Sequence, residues 1–302
     1  MAKKDTIGLL SMRNWWKETE NESYERIPEE IENLGYKSQT LFFDKFFVSF
    51  QEGVNIYYDE KPLDLNRFKI FILIMGDDFD NSFIVNVIES QGLKVVNNLE
   101  AILTAKNKAR TTLALTQAGL PTVPAAMNFS EFQLSPLMDF FPEDEYICKV
   151  IRGSAGKGVS YINSRLSLIT LMEMFGASGG VKPTQLIFEK FIKEAAGKDK
   201  RLFVVGGKVV AAMERQSNGF DFRSNISGSG QAKAIRPSRE LKDLASKAIE
   251  AVGLEYGGVD IMETGEGPVI VEVNSNPGLK IEQVTGVNVV GKIVRHIVRI
   301  KK

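Results

Sequence analysis

The chain has 302 residues, 38 basic side chains against 38 acidic ones, and a hydrophobic fraction of 43%. These totals fit a globular protein of two domains, or one core with subdomains, and the balanced charge gives no global electrostatic case for nucleic-acid or membrane binding. A single histidine (His296) and a single cysteine (Cys148) argue against histidine-rich zinc sites, Ser-His-Asp triads and a disulfide framework, and they fit a reducing, cytoplasmic setting.

Residues 6–10 form a short apolar strand. No apolar run reaches the ~18 residues of a membrane span, and residues 1–5 carry no signal-peptide core. Tyr24, Ile27, Ile31 and Leu34 recur at helical spacing and predict a helix stopped by Gly35. Residues 70–75 are continuously apolar, as in a strand buried on both faces of a parallel sheet. A helix near 81–91 and a strand at 94–97 continue a βαβ pattern, so the first third reads as a small open α/β domain. Trp15 and Trp16 follow the first strand, where such domains place ligand contacts; covering a core edge is an equal alternative.

A helix is predicted over 104–118, closed by Gly119 and Pro121 and carrying Lys106, Lys108 and Arg110, which taken alone read as solvated charges. Ser130 would cap a short helix. Residues 145–150 read as a strand with Lys149 in its interior, and such a lysine is either at an edge or paired with an anion. Residues 152–160 hold Gly153, Gly156, Lys157 and Gly158, a flexible basic loop whose N–H groups could cradle phosphate. It is not a Walker A loop, because Ile151 stands where the first Gly is required and Gly158 where Ser or Thr must follow the lysine. A plain hairpin loop explains it as well.

A helix near 166–175 and a strand over 185–192 come next, then a charged connection at 193–198. Strands at 199–205 and 208–215 flank Gly206-Gly207, a two-residue hairpin turn. Arg223 lies among aromatics in 220–225, and 227–230 reads as a mobile Gly/Ser loop. Residues 238–252 predict an amphipathic helix stopped by Gly253, and a basic helix over 292–299 ends the chain, with His296 a surface or packing residue.

The most informative stretch is the pair 257–262 and 268–278. Both alternate apolar with other residues, and residues 264–267 between them are turn chemistry, so the unit reads as a β-hairpin. With the hairpin symmetric about Glu266, Asp260 faces Glu272, and Asn274 points from the same face. Like charges placed opposite each other destabilise unless something positive lies between them. A hard cation such as Mg²⁺ fits that role; a solvated polar face on an ordinary hairpin is the alternative.

Taken together, residues 191–195, Asp199 with Arg201, residues 221–225, Gly258-Val259-Asp260-Ile261, Val271-Glu272-Val273-Asn274, Pro277-Gly278-Leu279 and the segment from Thr285-Gly286 to Gly291-Lys292 resemble the ATP-grasp ligases. The resemblance is to the glutamate ligases of the ribosomal-protein modification type, ordered and close from about Lys108 onward and weak in the first hundred residues. It implies an α/β (α+β) chain with an N-terminal open α/β domain (1–102), a central subdomain with the glycine-rich lid (103–190) and a C-terminal subdomain with the metal site (191–302). The two antiparallel-sheet subdomains would clasp ATP between them. Lys108 and Lys149 match the phosphate-contacting lysines, Glu189, Lys190 and Phe191 the adenine-side edge, and Asp199 the ribose-contacting acid. Arg223, Ser224 and Asn225 match the triplet beside the transferring phosphate, with Arg223 catalytic, and Asp260, Glu272 and Asn274 match the metal ligands.

The implied chemistry is ligation of a carboxylate to an amine. ATP activates the carboxylate as an acylphosphate, and two Mg²⁺ (or Mn²⁺) ions bridge the phosphates. The implied partners are a glutamate-like amino acid and a carboxylate acceptor on a peptide, protein or metabolite, with a homo-oligomer (dimer or tetramer) expected and neither nucleic acid nor membrane involved. There are three departures from the family's pattern, and the first two lie where acceptor and amino-acid substrates would sit. Residues 226–230 lack the family's His and Arg, residues 73–78 lack its Arg, and Glu189-Lys190 replaces the commoner Gln-Glu pair. A ligase for a different amine or peptide, or a nucleotide-binding regulatory protein without chemistry, are the other readings.

Overall fold

The computed structural model describes residues 6–12, 22–74, 82–127, 129, 135–141, 145–153, 158–177, 185–217 and 230–300. The chain opens with β1 (Thr6–Ser11), α1 (Ile27–Glu32) and β2 (Lys37–Phe42). A small antiparallel sheet of β3 (Phe46–Ser49), β4 (Asn55–Tyr58) and β5 (Lys61–Pro62) follows, which the sequence reading does not contain. With β6 (Phe68–Ile74), α2 (Ser82–Ser90) and β7 (Val95–Val96), the first part completes a parallel sheet of order β2-β1-β6-β7. Residues 70–74 are buried throughout, as a continuous apolar run between two neighbours requires. Helix α1 is shorter than its periodicity: Asn33 already ends it, Gly35 turns the chain at φ 80°, and Leu34 is exposed.

The helix predicted over 104–118 is two helices, α3 (Leu99–Ala105) and α4 (Lys108–Gln117). Asn107 makes the break. Its backbone is extended, and its side-chain Oδ1 accepts from the Arg110 N–H at 3.1 Å, satisfying a free N–H of the new first turn. Lys108 therefore stands at the first residue of α4 rather than on a mid-helix face.

An antiparallel sheet of order β10-β9-β11-β8 comes next, from β8 (Ala125–Ala126), β9 (Tyr146–Val150), β10 (Val159–Ile162) and β11 (Leu186–Lys190). Helices α5 (Ser135–Phe140) and α6 (Arg165–Ala177) belong to this region, and the cap expected at Ser130 lies outside the described residues. Lys149 sits in β9, an interior strand, so it is not an edge lysine.

The larger antiparallel sheet has the order β14-β13-β12-β15-β16, with β12 (Lys198–Val205), β13 (Lys208–Gln216), β14 (Gln231–Ala234), β15 (Tyr256–Thr264) and β16 (Gly267–Asn274). Gly206 and Gly207 both have positive φ, as a tight hairpin turn demands. Helix α7 (Arg239–Val252), capped by Ser238 and ended by left-handed Gly253, covers one face over Leu202, Val204, Val259, Ile261, Ile270 and Val273. The other face is apolar at one end, where α8 (Lys280–Thr285) and α9 (Val289–Ile297) pack over Phe203, Val205, Ala211, Met213 and Tyr256. At its other end that face is charged, and the site lies there.

Helix α9 begins at Val289, three residues before its basic stretch, because Glu282 Oε1 accepts from the N–H groups of Val289 (2.6 Å) and Val290 (3.0 Å). The N-terminal region is fastened to these elements. Arg26 pairs with Glu282, Lys69 donates to the Val298 carbonyl, and Tyr24 Oη donates to Pro277 O at 3.1 Å. Buried Asn97 donates to Tyr256 O (2.9 Å) and accepts from Glu255 N (2.8 Å). Among the described residues no helix is long and apolar enough to cross a membrane.

Candidate active site

Asp260 and Glu272 are cross-strand partners in β15 and β16, as the hairpin reading expects, and Asn274 pairs with Gly258 one step along the same face. The route to that pairing differs from simple symmetry. The turn is Gly265-Glu266, between Thr264 and Gly267, and Val271 is an extra residue that bulges between Ile270 and Glu272. A bulge re-aims the side chains beyond it. Ile270 and Val273 consequently share the α7 face although three residues apart, and Glu272 and Asn274 turn to the opposite side.

What neutralises Asp260 is arginine. Asp260, 1% exposed, accepts from Arg201 Nε at Oδ1 and from Arg201 Nη2 at Oδ2, both 2.7 Å, and Arg215 Nη2 reaches Oδ2 at 3.0 Å. Asn274 Nδ2 lies 3.4 Å from the same Oδ2. Arg215 also forks onto Asp199, with Nε 2.6 Å from Oδ1 and Nη2 on Oδ2. Burial would raise the Asp260 carboxyl, but the two guanidiniums outweigh it and hold the group at about 2. Arg215, for which burial works the other way, is held firmly charged by Asp260 and Asp199.

Asp199 and Arg201 are two apart on β12 and share a face, so their proximity is legible from spacing. Arg215 is less so. An unbulged hairpin about Gly206-Gly207 would set Asp199 against Glu214, a like-charge pair; an extra residue at Val210 sets it against Arg215 instead. The sequence reading gives Arg215 no role.

Lys108 joins the other side of the cleft to this row. Its Nζ donates to Gly153 O at 3.0 Å and lies 3.4 Å from Glu272 Oε1. Lys149 donates to Glu189 Oε2 at 2.5 Å, with both side chains largely buried, so its anion in this structure is a carboxylate of the same sheet. Lys108, Glu189 and Glu272 line one cleft together with Thr111, Thr122 and Val123. The strand segment there docks on β16, with Ile270 N donating to Pro121 O at 2.9 Å. Lys190 ends β11 exposed, and Phe191 packs its ring on Tyr161 at 4.8 Å; their N–H groups donate to Pro124 O (2.9 Å) and Glu145 O (3.4 Å). His296 pairs with Glu255 at 2.7 Å, away from this cleft, in keeping with a packing role. Arg223, Ser224, Asn225, Trp15, Trp16 and residues 154–157 lie outside the described residues, as does most of the loop expected at 227–230.

Among the described residues no three His, Cys, Asp or Glu side chains converge as a metal cage. The donor chemistry of the row nevertheless suits a hard cation. Asp260 is ionised, among the described residues its Oδ1 has one nitrogen contact against three at Oδ2, and Glu272 and an amide stand beside it. Two carboxylates are the usual protein share of a site in which phosphate oxygens complete the coordination.

Two antiparallel sheets facing a cleft lined by lysines and carboxylates define an ATP-grasp ligase. The family model described as "RimK-like ATP-grasp domain" matches residues 105–297, and the chain belongs to that family. A probable alpha-L-glutamate ligase of Marinomonas sp. (strain MWYL1) is 32% identical over 277 residues, covering 91% of each chain. Among solved structures, the ATP-grasp ligase PsnB complexed with a phosphomimetic variant of a minimal precursor, Mg and ADP is similar at a TM-score of 0.72 and 18% identity, covering 97% of this chain and 98% of that one. D-alanine–D-alanine ligase from Bacillus anthracis complexed with ATP is similar at 0.69 and 15%, covering 99% and 98%. These two likenesses show the fold.

Proposed function

We propose that the chain forms an amide by joining a carboxylate to the amine of an amino acid, glutamate in the first instance, through an acylphosphate. The observation that carries this reading is Lys108, whose ammonium stands between the glycine-loop carbonyl at Gly153 and Glu272 of the opposite sheet, 3.0 Å and 3.4 Å away. A cation shared across a cleft by a carboxylate and a carbonyl is placed to take a phosphate oxygen in their stead. Lys149 would make the same exchange from Glu189. Under the proposed division at 1–102, 103–190 and 191–302, the nucleotide lies between the second and third parts. Glu189, Lys190 and Phe191 would take the adenine side and Asp199 the ribose.

The acceptor carboxylate is ionised at neutral pH and needs no base. Its oxygen attacks the γ-phosphorus, the bond from that phosphorus to the β–γ bridging oxygen breaks, and ADP leaves. The amine then attacks the acyl carbon, phosphate departs, and one proton is released. Arg223, followed by Ser224 and Asn225, is assigned to the charge growing on the transferred phosphoryl group. Asp260, Glu272 and Asn274 would hold two Mg²⁺ (or Mn²⁺) ions, whose contribution when bound is to neutralise phosphate charge.

Glutamate is placed first because curated relatives carry that name. A different amine is the second reading, favoured by residues 226–230 and 73–78, which lack the family's basic side chains. Mass spectrometry of products from ATP, a mixed amino-acid pool and host extract tests both. A mass gain equal to one amino acid minus water, with matching ADP release, is expected. If no amino acid or peptide stimulates ADP release while ATP binds normally, the ligation reading fails and a regulatory nucleotide-binding role takes its place. A homo-oligomer is proposed alongside, and a monomeric mass in solution light scattering would remove it.

A further inference from the structure

Arg215 has no part in the chemistry set out above, yet it is the only side chain among the described residues bonded to both Asp199 and Asp260. The two carboxylates belong to different strands, β12 and β15, and in the proposed function they serve different parts of the nucleotide, the ribose and the metal-bound phosphates. We propose that Arg215 is a positioning residue that sets these two carboxylates in register, so that nucleotide and metal bind as one unit; this rests on the proposed metal role of Asp260.

Geometry supports the assignment in three ways. First, the Arg215 guanidinium is nearly buried, its side chain 11% exposed, and its fork is fully used by Asp199 before the same Nη2 reaches Asp260 at 3.0 Å. A planar fork fixes the relative placement of two acids, which a point charge on a flexible stem cannot do. Second, the contacts on Asp260 are unequal. Among the described residues, Oδ2 receives Arg201, Arg215 and the Asn274 amide, whereas Oδ1 receives Arg201 alone. A carboxylate oxygen has about two lone-pair directions, so Oδ2 is saturated and a cation is directed to Oδ1 as a single-oxygen contact. Third, among the described residues the row is internally neutral. Asp199, Asp260 and Glu272 are matched by Arg201, Arg215 and Lys108, which leaves no excess negative charge among them to hold a divalent ion before nucleotide arrives. Metal affinity must then come from correct placement of Asp260 toward incoming phosphates.

The test compares ADP binding with and without Mg²⁺, by calorimetry, in wild type, R215Q, R215K, D260N and the R215Q/D260N double variant, with circular dichroism confirming the fold. The readout is the factor by which Mg²⁺ tightens ADP binding. R215Q is expected to reduce that factor about tenfold, the lower end of the loss typical when a group orienting a metal ligand is removed. In the D260N background the same change should reduce it no further, because Arg215 acts through Asp260. R215K should restore only part of it. An unchanged factor in folded R215Q overturns the proposal, and so does an additive loss in the double variant or full rescue by lysine. Should R215Q fail to fold, R215K is read by the same criterion, with wild-type behaviour overturning the proposal. If D260N itself leaves the Mg²⁺ factor intact, the metal reading of Asp260 has failed, a result distinct from failure of Arg215.

Discussion

Asp260 and Glu272 meet across β15 and β16, where Val271 is one residue too many for a regular ladder. Removing it would close the bulge and leave Asp260 opposite Glu272 in a regular ladder, with Ile270 and Val273 still on the α7 face and Glu272 and Asn274 on the other, since side chains alternate along a strand. Deletion of Val271 is therefore expected to keep the Asp260–Glu272 pairing and to cost less than the ~3–5 kcal/mol of a buried charge left without a partner. Urea denaturation of the deletion variant against wild type measures it.

Lys108→Met removes the ammonium shared by Gly153 and Glu272. Its loss should weaken ATP binding about tenfold or more, the worth of one charge-assisted hydrogen bond to phosphate. The thermal midpoint should change little, since both partners retain access to water. Fluorescent-nucleotide titration and a melting curve separate the two effects.

Asp260 sets an acid limit on stability. Its folded value, about 2, lies below its unfolded one, so its contribution is fully present above pH ~4 and is lost as pH falls from there toward 2. In Asp260→Asn that part of the acid limb should be absent. Denaturant midpoints measured from pH 6 down to pH 3 give the comparison, and parallel curves for the two proteins would contradict the role of the arginine pair.

Cys148 should be inert. Burial alone pushes its thiol up to about 12, so at pH 8 the folded protein should resist iodoacetamide and react only when denatured. With the folded value above the unfolded one, its contribution to stability is present below pH ~8.5 and is lost as pH rises toward 12. Mass spectrometry after timed alkylation checks the first statement, and unfolding of Cys148→Ser across that range checks the second.

Gly257→Ala should be costly although the substitution is small. A Cβ there would lie 2.7 Å from Asn274 O and 2.9 Å from Ile249 Cδ1, one backbone and one packed core atom. An overpacked core typically loses about 1–3 kcal/mol, and here the strain falls on the strand that carries Glu272 and Asn274. Equilibrium unfolding and the Mg²⁺ dependence of ADP binding should both report it.

The sequence by itself determined which segments are strands and helices where periodicity was strong, such as the Ser238 cap and Gly253 stop of α7, and which residue types share the C-terminal hairpin face. These are local properties, settled by spacing and by single-residue backbone preferences. It also determined the ordered series of motifs on which family membership rests. Tertiary structure decided what the charges do. Whether Lys149 meets solvent or a carboxylate depended on β9 being interior, and Glu189 supplied the partner from β11. Asn107, a single cap, split one expected helix and placed Lys108 at the mouth of the cleft. The Arg201, Arg215, Asp199 and Asp260 cluster required three strands and one bulge to be laid side by side, and a bulge has no period to read. The physical reason is common to all of these. Hydrogen bonding along one segment is written in neighbouring residues, whereas electrostatic partnership across a sheet depends on register, which is set only when distant segments pack.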